Sequence, residues 1–303
     1  MNYTIETNRL SKNYGDVQAV QDVNLHVKQG EIYGFLGLNG AGKTTTIRML
    51  LGMIRPSQGN VKIMEQELGP GGRGPWAQVG HLVESPSAYP DLTVRENLEI
   101  ARRLYGLNNP KAVDDIMERL SVAAYSNRKA GTLSMGNLQR LGLARAMIHN
   151  PSLLILDEPA NGLDPAGVIE IRELLADLAH NQGVTVFMSS HILTEVDRLA
   201  TRIGIIHRGQ IIEDLDAEKL EQFRAKRLEI KVRDVAKAHA LLIKAKYSAM
   251  IEDGLILVSD ARATEAPDEI ARLLVHEDMP PTRLAVEQQN LEDHFMQLTG
   301  SPK

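Results

Sequence analysis

Residues 37–44 read Gly37-Leu38-Asn39-Gly40-Ala41-Gly42-Lys43-Thr44, with Thr45 following. The spacing suits phosphate. Glycines let the backbone wrap closely around anionic oxygens, and a helix starting near Lys43 would aim its first amides at them. Lys43 adds a cation for the terminal phosphates, and Thr44 a hydroxyl for Mg²⁺. The pattern carries weight only between a buried strand and a helix start. Both are expected here, because 31–36 is an apolar run and 43–51 has helical spacing closed by Gly52 with Pro56 beyond. Out of context the same residues would be a glycine-rich turn with an exposed lysine. The glycine-rich run at 69–74 has no Lys-Thr and no helix start after it, and reads as a flexible loop.

A second set of reactive groups is the pair Asp157 and Glu158, which ends the apolar run 153–156. It looks like Walker B, at the strand edge where open α/β sheets bind ligands. Asp157 would hold Mg²⁺ through water, and Glu158 would orient or deprotonate an attacking water, as phosphoryl transfer requires. A solvated acidic first turn ahead of Pro159 is the plainer alternative. The phosphate loop expected at 37–44 tips the choice toward chemistry.

These residues need a sheet to hold them. From residue 2 to about 216, strand-like runs alternate with amphipathic helical stretches, as in an α/β domain with a largely parallel sheet. The runs at 153–156 and 184–188 are of the kind covered on both faces, and 168–180 has the spacing of a crossover helix ending near Gly183. After a charged stretch the pattern changes, which places a boundary near Glu221 and gives two domains, 1–220 and 221–303. In the second, strands at 227–233, 247–251, 255–259 and 282–288 and helices at 235–245, 265–276 and 290–298 are expected, with Asp253-Gly254 as a hairpin turn. That order is βαββαβ plus a helix, a small α+β domain of ferredoxin-like type.

Composition limits the functional classes. The chain has 303 residues, 43% hydrophobic and 24% charged, enough for full cores in both domains and unlike disordered or fibrous sequences. Cysteine is absent, which excludes disulfides, thiolate metal sites and cysteine nucleophiles. A net charge of -5 offers no global field for gathering nucleic acid. The first ten residues are polar and include Glu6, unlike a secretory signal. No apolar run approaches the ~20 residues of a spanning helix, so a membrane role would come through a partner.

With the further motifs in place, the chain resembles the ATP-binding subunits of ATP-binding-cassette (ABC) transporters. Leu133-Ser134-Met135-Gly136-Asn137, followed by Gln139-Arg140, is similar to that family's LSGGQ signature. Ser134 is a suitable N-cap and Gly136 permits close backbone approach, making a second helix N-terminus suited to a γ-phosphate. The resemblance implies that the signature acts in trans, on ATP held by another subunit. Met135 and Asn137 depart from the usual Gly and Gln. Tyr14, with Val20 close behind, is similar to the adenine platform; a single tyrosine is more usually packing. Asn161-Gly162-Leu163-Asp164 resembles the D-loop, and His191 the switch histidine that touches the γ-phosphate. His81 and His207 read as structural. Glu84 stands in place of the Q-loop glutamine, where a carboxylate could still ligate Mg²⁺ but would face the phosphates with extra negative charge.

Glu84 together with Pro86, Tyr89 and Pro90 resembles the bacitracin, lantibiotic and multidrug export branch, as does 291–295 near the end. The resemblance implies an ABC ATPase domain of P-loop NTPase fold whose cofactors are ATP and Mg²⁺. It implies catalysis by Glu158, His191 and Lys43, metal held through Thr44, Glu84 and Asp157, and a second ATPase subunit, most simply a homodimer. A separate permease would export a peptide antibiotic, drug or similar compound, with the chain on the cytoplasmic face of the membrane and 84–96 as the contact surface. No nucleic acid is expected. Two alternatives share the motifs: a soluble ABC ATPase acting on ribosomes or nucleic acid, and a regulatory module that binds ATP without hydrolysing it.

Overall fold

The computed structural model describes residues 3–69, 73–84, 86–224, 226–288 and 291–299. The chain divides into two units, Met1–Asp216 and Ala217–Lys303. In the first, six strands form the central sheet in the order Gln210–Leu215, Arg202–His207, Ile32–Leu36, Thr185–Ser190, Leu153–Asp157 and Val79–Leu82. All neighbours are parallel except the Gln210–Leu215 edge strand, which returns antiparallel. Every residue of Ile32–Leu36, Leu153–Asp157 and Thr185–Ser190 is buried. Strands covered on both faces do not alternate polar with apolar, which is why 153–156 and 186–188 read as unbroken hydrophobic runs. The carboxyl ends of the three strands lie side by side at one edge, bringing together residues that follow positions 36, 157 and 190.

The expected strand–helix alternation from residue 2 does not hold at the start. Strands Tyr3–Tyr14, Val17–Val23 and His26–Lys28 come first, and with Gln58–Ile63 and Gln66–Glu67 they build a separate antiparallel sheet. Gly15, at φ +57°, and Asp16 form a two-residue turn between Tyr14 and Val17. So tight a reversal leaves no room for a crossover helix. The unit is therefore a mixed α/β structure, and the parallel part is the central sheet. Helix Lys43–Leu50 lies in the core between the two sheets, where Ile47 and Leu50 pack with Leu10, Val61, Phe35 and Ile155.

Between Val79–Leu82 and Leu153–Asp157 the chain runs through helices Val94–Leu104, Ala112–Arg119 and Met135–Met147. The first opens on a capping box made by Thr93 and Glu96. The expected helix at 168–180 runs Pro165–Gln182, capped by Asp164 and ended by Gly183 at φ +68°. Residues 70–72 of the glycine-rich run lie outside the described residues, as does Ser85; Gly69 and Arg73 pair in an isolated bridge.

The second unit opens with helix Ala217–Arg224, so the expected boundary at 221 falls inside an element. Its four-stranded sheet has the order Ala249–Glu252, Leu255–Val258, Lys226–Lys231 and Arg283–Gln288, every pair antiparallel. Asp253 and Gly254 both have positive φ, as the two-residue turn between the first pair requires. Helices Val235–Lys244 and Pro267–His276 contribute Ala238, Leu242, Ile270 and Leu274 to a core with Leu228, Ile230, Ile256 and Val258. The helix expected at 265–276 runs Pro267–His276, with the proline at its first position, and a short helix that was not expected, Ala261–Glu265, precedes it. Helix Leu291–Thr299 closes the described chain. Among the described residues no helix is long and apolar enough to cross a membrane.

Candidate nucleotide-binding site

The loop after Ile32–Leu36 is tied to the neighbouring strand by Gly37 N–H, which donates to Ser190 O at 3.2 Å. A Cβ on Gly37 would lie 2.6 Å from Ile206 O. One on Gly42 would lie 2.7 Å from Ala19 O, and Gly42 also has φ +109°. Both positions therefore demand glycine for space, and Gly42 for backbone freedom as well. Asn39 and Gly40 are exposed at the tip, Leu38 is half-buried, and Ala41 is buried at the base. Lys43 is 6% exposed. Its Nζ donates to Gly37 O at 2.7 Å and Leu38 O at 3.3 Å, and lies 3.3 Å from Glu158 Oε1. A buried ammonium that is satisfied by loop carbonyls and a carboxylate marks the cradle as an anion site, since phosphate oxygens could take over the same contacts.

Thr44 and Asp157 meet across 113 positions of sequence: Thr44 Oγ1 donates to Asp157 Oδ2 at 2.8 Å. The other carboxylate oxygen accepts from Ser189 Oγ at 2.5 Å, and Ser189 Oγ accepts from Glu158 N–H at 3.1 Å. Glu158, with φ +51°, directs Oε2 to His191 Nδ1 at 2.8 Å while its other oxygen faces Lys43. Lys43, Thr44, Asp157, Glu158 and His191 thus form one connected group. Thr44 and Asp157 offer the hydroxyl and hard carboxylate that Mg²⁺ prefers, with substrate phosphates and water to complete its shell. Among the described residues no three His, Cys, Asp or Glu side chains are grouped to hold a metal by themselves. Burial pushes the Glu195 carboxyl above its usual range; the hydroxyl of Ser190, which it accepts from at 3.1 Å, and His191 oppose this, and Glu158 adds to it.

Other expected residues lie apart from this group. Tyr14 is 47% exposed, with Lys12 Nζ 5.1 Å from its ring centroid. Val20 is fully buried, and its Cγ2 is 3.4 Å from a Cβ built on Gly42, so it packs beneath the loop. Thr45 is half-buried in the first turn of the helix. Glu84, at φ +58°, pairs with Arg48 at 2.7 Å; the structure places it on that guanidinium and not on the Thr44–Asp157 pair. Ser134 caps helix Met135–Met147 by accepting Asn137 N–H at 3.3 Å, after half-buried Leu133. Met135 is exposed and packs on Gly162, while Gly136 approaches Gly162 O and Leu163. Asp164 accepts Gly167 N–H at 3.0 Å as a helix cap. The signature and D-loop segments therefore pack on each other.

Sequence reasoning missed Ser189, Gln139 and Glu195. Ser189 sits two positions before His191 on a strand, and Gln139 follows the signature, but neither spacing says what the side chain faces. Gln139 is 3% exposed and donates through Nε2 to Glu158 O and Pro159 O, at 3.1 and 3.0 Å.

The parallel sheet, the glycine loop at its carboxyl edge and the adjoining carboxylates define a P-loop nucleotide-binding protein. Comparison narrows the class. Residues 20–161 match the family model described as ABC transporter. The bacitracin transport ATP-binding protein BcrA of Bacillus licheniformis is 39% identical over 304 residues, spanning 99% of this chain and 98% of its own length. The lantibiotic transport ATP-binding protein SrtF of Streptococcus pyogenes is 33% identical over 72% of this chain and 94% of its own. A bacterial ABC transporter cassette solved as a dimer has 25% identity and a TM-score of 0.64, covering 70% of this chain and 98% of that one. The chain belongs to the ABC transporter family.

Proposed function

We propose that the chain is the ATP-hydrolysing subunit of an ABC exporter, powering the movement of a peptide antibiotic, drug or similar compound through a separate permease. The observation that carries this is the contact chain Lys43–Glu158–His191 beside Thr44–Asp157. Lys43 would exchange its carbonyl partners for the β- and γ-phosphates, freeing Glu158. Glu158 would then accept a proton from water as the oxygen attacks the γ-phosphorus and ADP leaves. His191 holds that carboxylate in line. Thr44 and Asp157 would hold Mg²⁺, which spreads phosphate charge when bound, and Glu84 would join them only after leaving Arg48.

Relatives named for bacitracin and lantibiotic transport support a transport role over a ribosome- or nucleic-acid-directed ATPase. The dimeric cassette supports a homodimer in which Leu133, Ser134, Met135, Gly136 and Asn137 of one copy complete the site of the other, with Asp164 near the contact. Residues 84–96, where Tyr89 is 53% exposed, would face the permease and keep the chain on the cytoplasmic side of the membrane. For the second unit, Ala217–Lys303, the strand order supports a ferredoxin-like accessory domain that steadies the dimer or regulates it.

The test uses Glu158→Gln, which keeps size and hydrogen bonding but removes the base. ATP turnover should drop at least ~100-fold with nucleotide binding retained. Tagged variant isolated from solubilised membranes with Mg-ATP should bring down a multi-span protein in stoichiometric amount. Unchanged turnover overturns the assignment of Glu158, and recovery of ribosomes or no membrane protein overturns the exporter.

A further inference from the structure

Glu158 occupies the left-handed backbone region, where a residue with a Cβ stays only if its surroundings hold it. Its two peptide groups are held from opposite sides. The N–H is taken by Ser189, on strand Thr185–Ser190. The carbonyl, together with that of Pro159, accepts the side-chain amide of Gln139, on the buried face of helix Met135–Met147. An amide nitrogen has two hydrogens, so Gln139 can satisfy both carbonyls, and a side chain of the same length without an amide could satisfy neither. The Glu158 carboxylate, pointing from this fixed backbone, meets Lys43 and His191.

We propose that Gln139 is a positioning residue for Glu158: it anchors the backbone from which the carboxylate is aimed at water. The inference rests on the reading of Glu158 as the base. Gln139 lies five residues after Ser134 on one rigid helix, about 7.5 Å along the axis at 1.5 Å per residue.

The test compares wild type, Gln139→Met, Glu158→Gln and the double variant as full-length chains, measuring ATP turnover, affinity for a fluorescent ATP analogue and melting temperature. Gln139→Met should lower kcat about tenfold or more, leaving KM and analogue affinity within about twofold. In the Glu158→Gln background the same change should alter residual turnover less than about twofold, because a residue acting through Glu158 has nothing left to position. Equal fold losses in both backgrounds would show a general structural role and overturn the inference, as would a Gln139→Met kcat within twofold of wild type. If Gln139→Met does not fold, Gln139→Leu takes its place with the same criteria. Unchanged turnover in Glu158→Gln would overturn the underlying reading and this inference with it; loss there, with Gln139→Met at wild-type rate, would overturn this inference alone.

Discussion

Replacing Ser189 by alanine removes one hydroxyl that serves two partners at the centre of the site. Ser189 is fully buried, donates to Asp157 at 2.5 Å and accepts the Glu158 N–H at 3.1 Å. A hydrogen bond to a charged group contributes about 1.5–3 kcal/mol, and a buried N–H left without a partner costs about 1–3 kcal/mol. The losses overlap, since Asp157 keeps its bond from Thr44, so about 2–4 kcal/mol in total is expected. At about 2–4 °C per kcal/mol for a unit of this size, Ser189→Ala should melt roughly 4–16 °C below wild type. Thermal unfolding followed by far-ultraviolet circular dichroism without nucleotide measures this directly. A drop of less than about 2 °C would refute the reasoning, because it would mean that the hydroxyl is not what satisfies Glu158 and Asp157.

Two further perturbations test the site's geometry and charge. Gly42→Ala forces a Cβ against Ala19 O at φ +109°, so stability should fall by about 1–3 kcal/mol and affinity for an ATP analogue by about tenfold; affinity within threefold would show that the loop relaxes freely. Glu195 has its carboxyl raised chiefly by burial. A raised carboxyl stabilises the fold at pH below its unfolded value, where it is protonated, and loses that contribution as pH rises through the folded value. Glutamine imitates the protonated form, so Glu195→Gln should melt above wild type near pH 8, with the gap closing toward about pH 4. A gap of the same size at both ends would exclude burial as the cause.

Much of the site was legible from sequence because its chemistry is local. The loop 37–44 must be glycine-rich where Gly37 and Gly42 approach carbonyls, and a lysine placed just after the last glycine stands at the start of a helix. Strands buried on both faces announce themselves as apolar runs, and the carboxylates at 157 and 158 fall where such a run ends. The start of the chain was less legible. Its residues suit strands, but only the two-residue turn at Gly15-Asp16 shows that they pair antiparallel in a separate sheet. The short helix Ala261–Glu265 was not read, because five residues are too few to show a helical period.

What sequence determines here is most of the central elements and the reactive groups at their ends, since turns, caps and periodicity act over a few residues. What tertiary structure decides is which groups meet. Thr44 reaches Asp157, Glu158 is held between Gln139 and Ser189, and Glu84 turns to Arg48, because parallel strand order sets residues that are far apart in the chain side by side. No spacing rule contains those pairings; they follow from burial of the sheet and from the need of each buried polar group for a partner.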